Sequence, residues 1–162
     1  MFQNNKKIRR KDGGDNLKVA IGSDHGGYKL KKRLLSLLEL KDYEVADMGT
    51  HSEASCDYPL YGRKVAEAVA SGEFDRGVLI CKTGIGMSIT ANKVHEIRAA
   101  LCRTKKDAQL SREHNDANVL VLSALNTKQD TLKDIVNVWF KTEFQKGRHA
   151  RRVKQMMKIE EK

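Results

Sequence analysis

The chain predicts an α/β fold: a doubly wound, three-layer α/β/α arrangement around a five-stranded parallel sheet. Three observations predict it. Strand-like and helix-like segments alternate from Lys18 to Phe144 without a break in the pattern. The run Val78-Leu79-Ile80 is apolar on both faces, as in a parallel strand covered by helices. Finally, 162 residues with 40% hydrophobic and 32% charged content suit one globular domain with a substantial core.

The elements follow in order. Lys18 to Gly22 reads as the first strand. Gly27 to Lys41 is a helix, because leucines at 30, 34, 35, 37, 38 and 40 form one apolar stripe. Tyr43 to Asp47 is the second strand, and Met48 to Tyr58 is irregular. The sole proline, Pro59, fits the first turn of a helix reaching about Ala70, with Val65, Ala66 and Val69 inward. The third strand carries Val78 to Ile80 and is followed by a helix from Ile85 to Lys93. Arg98 to Cys102 is a strand, Lys105 to Arg112 a helix and Asn118 to Leu122 the last strand. Thr127 to Phe144 closes the pattern with Leu132, Ile135, Val136, Val138, Trp139 and Phe140.

Charge divides the chain further. Residues 1–17 read as a basic, disordered extension carrying Lys6, Lys7, Arg9, Arg10 and Lys11. Residues 18–153 form the domain, and 154–162 a C-terminal tail. The net charge of +10 lies largely at the two ends. No zinc-finger spacing, helix-turn-helix signature or aromatic stacking motif accompanies it, so a small anionic substrate is a better partner than nucleic acid. No apolar run is long enough to cross a membrane, and Met1 to Leu17 lacks the apolar core of a secretory signal. Cys56, Cys81 and Cys102 are widely spaced and odd in number. They read as free thiols in a reducing, cytoplasmic compartment, with no paired-cysteine metal site.

The segment Gly77 to Ser88 carries the chemistry. A buried strand ends in the Cys81 thiol and Thr83 hydroxyl, and a glycine-rich turn then opens a helix. A nucleophile or base would stand there beside backbone N–H groups that stabilise developing negative charge. The same residues also fit a plain strand-to-helix turn with a structural cysteine. A nucleotide phosphate-binding loop is excluded, since Cys81 occupies the place of its second glycine. The dinucleotide fingerprint fails at the first turn, Gly22-Ser23-Asp24-His25-Gly26-Gly27, where Asp24 would repel a pyrophosphate.

In such a fold, ligands bind beyond the carboxyl ends of the strands. Asp24-His25, Asp47 to Thr50, Cys81 to Ser88 and the residues after Leu122 all fall there. His114-Asn115-Asp116 falls between a helix and a strand, where a cap and a ligand contact are both open. Arg148 and Arg152 share one helical face and fit either a phosphate clamp or a solvated basic surface. His51 and His95 read as surface residues.

Taken together, Gly22 to Gly27, Asp57-Tyr58-Pro59, Cys81-x-Thr83-Gly84-x-Gly86-Met87-Ser88-Ile89, Ala91-Asn92-Lys93, Ile97 to Ala100, His114 to Leu120 and Gly147-Arg148-His149 resemble the ribose-5-phosphate isomerase B family. That family includes galactose- and allose-6-phosphate isomerases. The resemblance covers about Lys18 to Val153. It implies a Rossmann-like dimer, or tetramer, that interconverts an aldose and a ketose phosphate without metal or cofactor. It also implies roles. Cys81 would move the proton between C2 and C1, Thr83 would handle protons on the sugar oxygens, and His114 would open the furanose ring. Amides of Gly84, Ile85, Gly86 and Ser88 would hold the enediolate, with Asp24 and Asn115 on hydroxyls. His25, Arg148 and Arg152 would hold the phosphate, and His114 and Asn115 would come from the partner subunit.

Two positions depart from the family pattern. Lys82 stands where the family usually has Gly, and Leu125 lies where an Arg often helps to bind phosphate. Ribose 5-phosphate and ribulose 5-phosphate are the expected pair. A six-carbon phosphosugar isomerase is the alternative within the class, and a weakened sugar-phosphate-binding paralogue the alternative outside it.

Overall fold

Five parallel strands in the order β2-β1-β3-β5-β4 form the sheet. The structure is a computed structural model that describes residues 16–39 and 43–161. The basic stretch 1–15 and the expected helix end at Lys41 lie outside the described residues.

The elements are β1 (Leu17–Ser23), α1 (Tyr28–Glu39), β2 (Tyr43–Asp47), α2 (Tyr58–Ala70), β3 (Arg76–Cys81), α3 (Ile85–Ala91), β4 (Ala99–Leu101), α4 (Lys105–Asn115), β5 (Val119–Ser123), α5 (Gln129–Lys141) and α6 (Arg148–Met157), followed by a 3-10 turn at Lys158–Glu161. Among the described residues no helix is long and apolar enough to cross a membrane.

Each strand divides its side chains between two cores, as its alternating pleat requires. Val78 and Ile80 of β3 face α1 and α5, where Leu34, Leu38, Ile135 and Trp139 are fully buried. Leu79 and Cys81 face the other way, against Val65 and Ala66 of α2 and Met87 of α3. One strand thus feeds both halves of a double-sided core.

Local chemistry sets the helix ends. α4 opens on a capping box: Thr104 Oγ1 accepts the Asp107 N–H at 3.1 Å, and the Asp107 carboxylate accepts the Thr104 N–H at 3.0 Å. The helix runs to Asn115 rather than Arg112, because Asp116 takes the left-handed cap at φ +47°. His114 and Asn115 therefore sit on a last helical turn, not in a connecting loop. α5 is shorter than the apolar pattern suggests and ends at Lys141, so Phe144 lies beyond it. Gly147 then starts α6 as a separate helix through Met157, so the first residues of the stretch set apart as a tail are helical. Asn92 caps α3 and reaches the open edge of β4. Its side chain accepts the Ala99 N–H and donates to the Ala99 carbonyl, each at 2.9 Å, much as a neighbouring strand would.

Candidate active site

Cys81 ends β3 at the carboxyl edge of the sheet, with its thiol almost fully buried. The chain then reverses into α3 through Gly84, whose φ of +78° disfavours any residue with a side chain. A Cβ there would also come within 2.4 Å of Leu101. This turn aims the Gly84 N–H at the Cys81 sulfur, 3.2 Å away. Thr83 is exposed, and its Oγ1 accepts the Ile85 N–H at 3.3 Å. Ile85 is half-exposed, Gly86 lies under the Tyr58 ring, and Ser88 is on the next turn of α3. The Ser88 N–H donates to the Gly84 carbonyl at 3.0 Å, so with Gly84 and Ile85 already engaged it is the Gly86 and Met87 amides that have no acceptor within the helix.

The adjoining strand end supplies Asp24 and His25. Asp24 is buried, and its carboxylate accepts the Gly27 N–H at 2.9 Å while its own N–H bonds the Ile80 carbonyl. Gly27 is required because a Cβ would fall 2.5 Å from the Ile80 carbonyl oxygen, so α1 could not start this close to β3. His25 is exposed. Its Nδ1 lies 3.2 Å from the Cys56 backbone nitrogen and 3.3 Å from the Cys56 carbonyl oxygen, which holds the ring against that loop.

Below this edge lies a group that sequence reasoning missed. Lys31 of α1 is fully buried, ion-paired with Asp47 at the end of β2, and donates to the Thr50 carbonyl at 2.6 Å. Asp47 also accepts the Gly49 N–H at 2.9 Å. This network ties α1 to the loop that extends beside β1. A lysine amid a leucine-rich stripe reads as a snorkelling surface charge, and nothing in local spacing marks it as buried. His51, taken as a surface residue, is largely exposed but also reaches Asp47 at 3.7 Å.

The remaining predicted site residues lie elsewhere. His114 and Asn115 end α4, just before β5 begins, and so lie at the amino edge of the sheet. Backbone bonds fix that placement: the Asp116 carbonyl accepts from Arg98 Nε at 3.0 Å, and the Asn118 carbonyl accepts the Gly77 N–H at the start of β3. Cys81, by contrast, pairs in register with Ser123 at the far end of β5. Five residues of parallel strand separate the two edges, about 16 Å. Arg148 belongs to the amino-edge group, because its neighbour His149 stacks on His114 with ring centroids 4.1 Å apart. Arg152 lies one turn further along α6. Burial lowers the His149 pKa, and His114, Arg148 and Arg152 push it the same way.

The amino edge is held by arginines. Arg112 is buried, bonds Asp116 at 2.9 Å and the Ala117 carbonyl at 2.7 Å, and lies over the Trp139 ring. Arg98 meets the same carboxylate at 3.3 Å. Burial and the Arg112 charge bring the Arg76 pKa down to about 10. Nothing in the linear order marks these residues as neighbours.

Two cavities differ in meaning. One of about 820 Å³ runs between α2 and α3 past Arg63, Glu67 and Ile89, and none of the strand-end groups line it. Another of about 470 Å³ lies at the carboxyl edge, bounded by His25, Gly26, Lys82, Ala124 and Leu125. The smaller one adjoins the chemistry. Among the described residues, no group of three or more metal-ligating side chains comes together.

Residues 19–156 match the family described as Ribose/Galactose Isomerase. The chain belongs to the ribose/galactose isomerase family. It is 45% identical to ribose-5-phosphate isomerase B of Escherichia coli over 145 residues, covering 90% of this chain and 97% of that one. The fold of this family member superposes on Clostridium thermocellum ribose-5-phosphate isomerase B with a TM-score of 0.88 and 55% identity, covering 90% and 98% of the two chains. It also superposes on the Mycoplasma genitalium ribose-5-phosphate isomerase B solved with bound ribulose 5-phosphate, with a TM-score of 0.86, 37% identity and coverage of 92% and 99%.

Proposed function

We propose that this protein interconverts ribose 5-phosphate and ribulose 5-phosphate, with Cys81 as the proton-transfer base. One observation carries the reading. A thiol ends a buried strand with the Gly84 N–H aimed at its sulfur, beside Asp24 and His25, in a chain aligned nearly end to end with enzymes of that name.

The reaction moves a carbonyl from C1 to C2. The Cys81 thiolate takes the C2 proton, leaving a cis-enediolate whose negative charge the first amides of α3 receive. The thiol then returns the proton to C1. Thr83 moves a proton between the two sugar oxygens, so no charge is left at the end of the step. Asp24 accepts from a sugar hydroxyl, and His25 meets the phosphate. Proton transfer of this kind leaves the overall oxidation level of the sugar unchanged and needs no electron acceptor.

Ring opening requires a second acid–base group near the ring oxygen. His114, with Asn115, is the candidate, yet within one chain it lies at the other edge of the sheet. A second copy resolves this by bringing its amino edge to the carboxyl edge of the first. Arg148 and Arg152 would arrive with His114, since α6 is stacked on it. The apolar groups around the Cys81 turn favour such a face: Ile85 and Ile89, one helical turn apart, and Leu60 are each at least half-exposed, and Tyr58 is 40% exposed. The homodimer is therefore the functional unit in this reading.

Turnover of purified protein tests it. Ribose 5-phosphate should be isomerised faster than allose 6-phosphate or galactose 6-phosphate. Preference for a six-carbon sugar would change the substrate but not the chemistry. Binding without turnover of any of the three would make the protein a sugar-phosphate binder.

A further inference from the structure

The cavity at the carboxyl edge is lined by four basic side chains, His25, Lys29, Arg33 and Lys82, and by no carboxylate. Lys29 is paired with Glu53 at 3.1 Å. Lys82 and Arg33 are exposed and make no ion pair with any described residue. Leu125 lies on the same wall, 63% exposed.

Lys82 follows the catalytic thiol directly, so it could act on either the thiol or the ligand. The surroundings of the two side chains decide between them. Cys81 packs into the core against α2 and α3. Lys82, the first residue past the strand, lines the cavity beside Leu30 of α1 and Thr127, on the α1–α5 side. The Lys82 carbonyl is clamped by the Leu125 N–H at 3.1 Å and by Ser123 Oγ at 3.0 Å, which fixes that direction. The Lys82 Cβ lies so close to Gly26 that a Cβ at position 26 would stand only 3.1 Å away. The Lys82 side chain thus leaves the backbone on the side of the loop that carries His25.

We propose that Lys82 binds the phosphate monoester of the substrate from the β3–α3 turn, beside His25 and the Arg33 guanidinium, on a wall that Leu125 leaves uncharged. The inference rests on the isomerase reading and deepens it. A phosphate dianion suits a convergent set of flexible cations, and an ammonium serves it as a point charge without needing a fixed fork.

Three variants test this: Lys82→Gln, Lys82→Arg, and Lys82→Gln combined with Leu125→Arg. Lys82→Gln should raise KM for ribose 5-phosphate about 10-fold with kcat changed less than about 2-fold, the scale of one charge-assisted bond. The inhibition constant of inorganic phosphate should rise in parallel. Lys82→Arg should stay close to the natural protein, and Leu125→Arg should restore much of the affinity lost in Lys82→Gln. Unchanged KM and phosphate inhibition in Lys82→Gln would overturn the proposal. So would a fall in kcat with a displaced pH profile and constant KM, which would assign Lys82 to the thiol. Should the natural protein not turn over ribose 5-phosphate, the isomerase reading fails separately. Calorimetric titration with inorganic phosphate then decides the Lys82 question, weaker binding by Lys82→Gln supporting it and equal binding refuting it.

Discussion

The carboxyl edge of the sheet places its functional groups by backbone geometry, whereas the amino edge places His114 and Asn115 by charged side chains. At the first, Gly84 and Gly27 let α3 and α1 start hard against the strands, and the thiol is fixed by one N–H contact. At the second, Arg112 and Arg98 grip Asp116, which caps the helix carrying both residues. A backbone-built site tolerates little beyond glycine at its turns. A side-chain-built one can be loosened one charge at a time. The two edges of one chain face opposite ways, so in the proposed homodimer each would supply half of a site.

The sharpest way to break the comparison is to remove the thiol. Cys81→Ala should cost about 10²–10⁴-fold in kcat/KM while inorganic phosphate still binds. Next comes Gly84→Ala, where the positive φ and the 2.4 Å approach to Leu101 both oppose a methyl. It should lower stability by about 1–3 kcal/mol, read by denaturant unfolding, and reduce turnover as well.

A comparable change at the amino edge should behave differently. Arg112→Met removes one partner of Asp116 but leaves Arg98, so about 2–3 kcal/mol of stability should be lost. Phosphate binding at the carboxyl edge should persist in dilute protein. Replacing Arg148 or Arg152 by Ala should mainly raise KM for the phosphosugar, about 10-fold each.

The smallest effects concern titration. His149 has a lowered pKa in the fold, so the unfolded chain binds more protons once pH falls below its ordinary value of 6.5. Stability contributed at the α4–α6 contact should therefore be intact above that pH and decline below it. Substituting His149 by Gln should flatten this part of the profile. Burial raises the Cys102 thiol to about 11, so Cys102 should resist alkylation at pH 8 while the half-buried Cys56 reacts first.

Much of the fold was legible because its signals are local and periodic. The Leu30–Leu38 stripe, the apolar β3 and Pro59 on the first turn of α2 each announce an element within a few residues. The strand-end groups were legible for the same reason, since parallel alternation puts Asp24, His25 and Cys81 on one rim. Other features depend on contacts distant in sequence. Lys31 is buried only because Asp47 and Thr50 meet it, and α4 extends to Asn115 only because Asp116, gripped by Arg98 and Arg112, accepts a left-handed cap. Distance in space also explains why His114 and Cys81 both looked like site residues while standing at opposite edges.

The claim that two half-sites make one whole is tested most directly by mixing inactive chains. Cys81→Ala and His114→Ala proteins, each inactive alone, are dissociated, combined in equal amounts and allowed to reassemble. Random pairing makes half of the dimers mixed, and each mixed dimer has one intact site of two, so about a quarter of natural activity should return. No recovery, with subunit exchange verified by native mass spectrometry, would place Cys81 and His114 in the same chain's site and contradict the account.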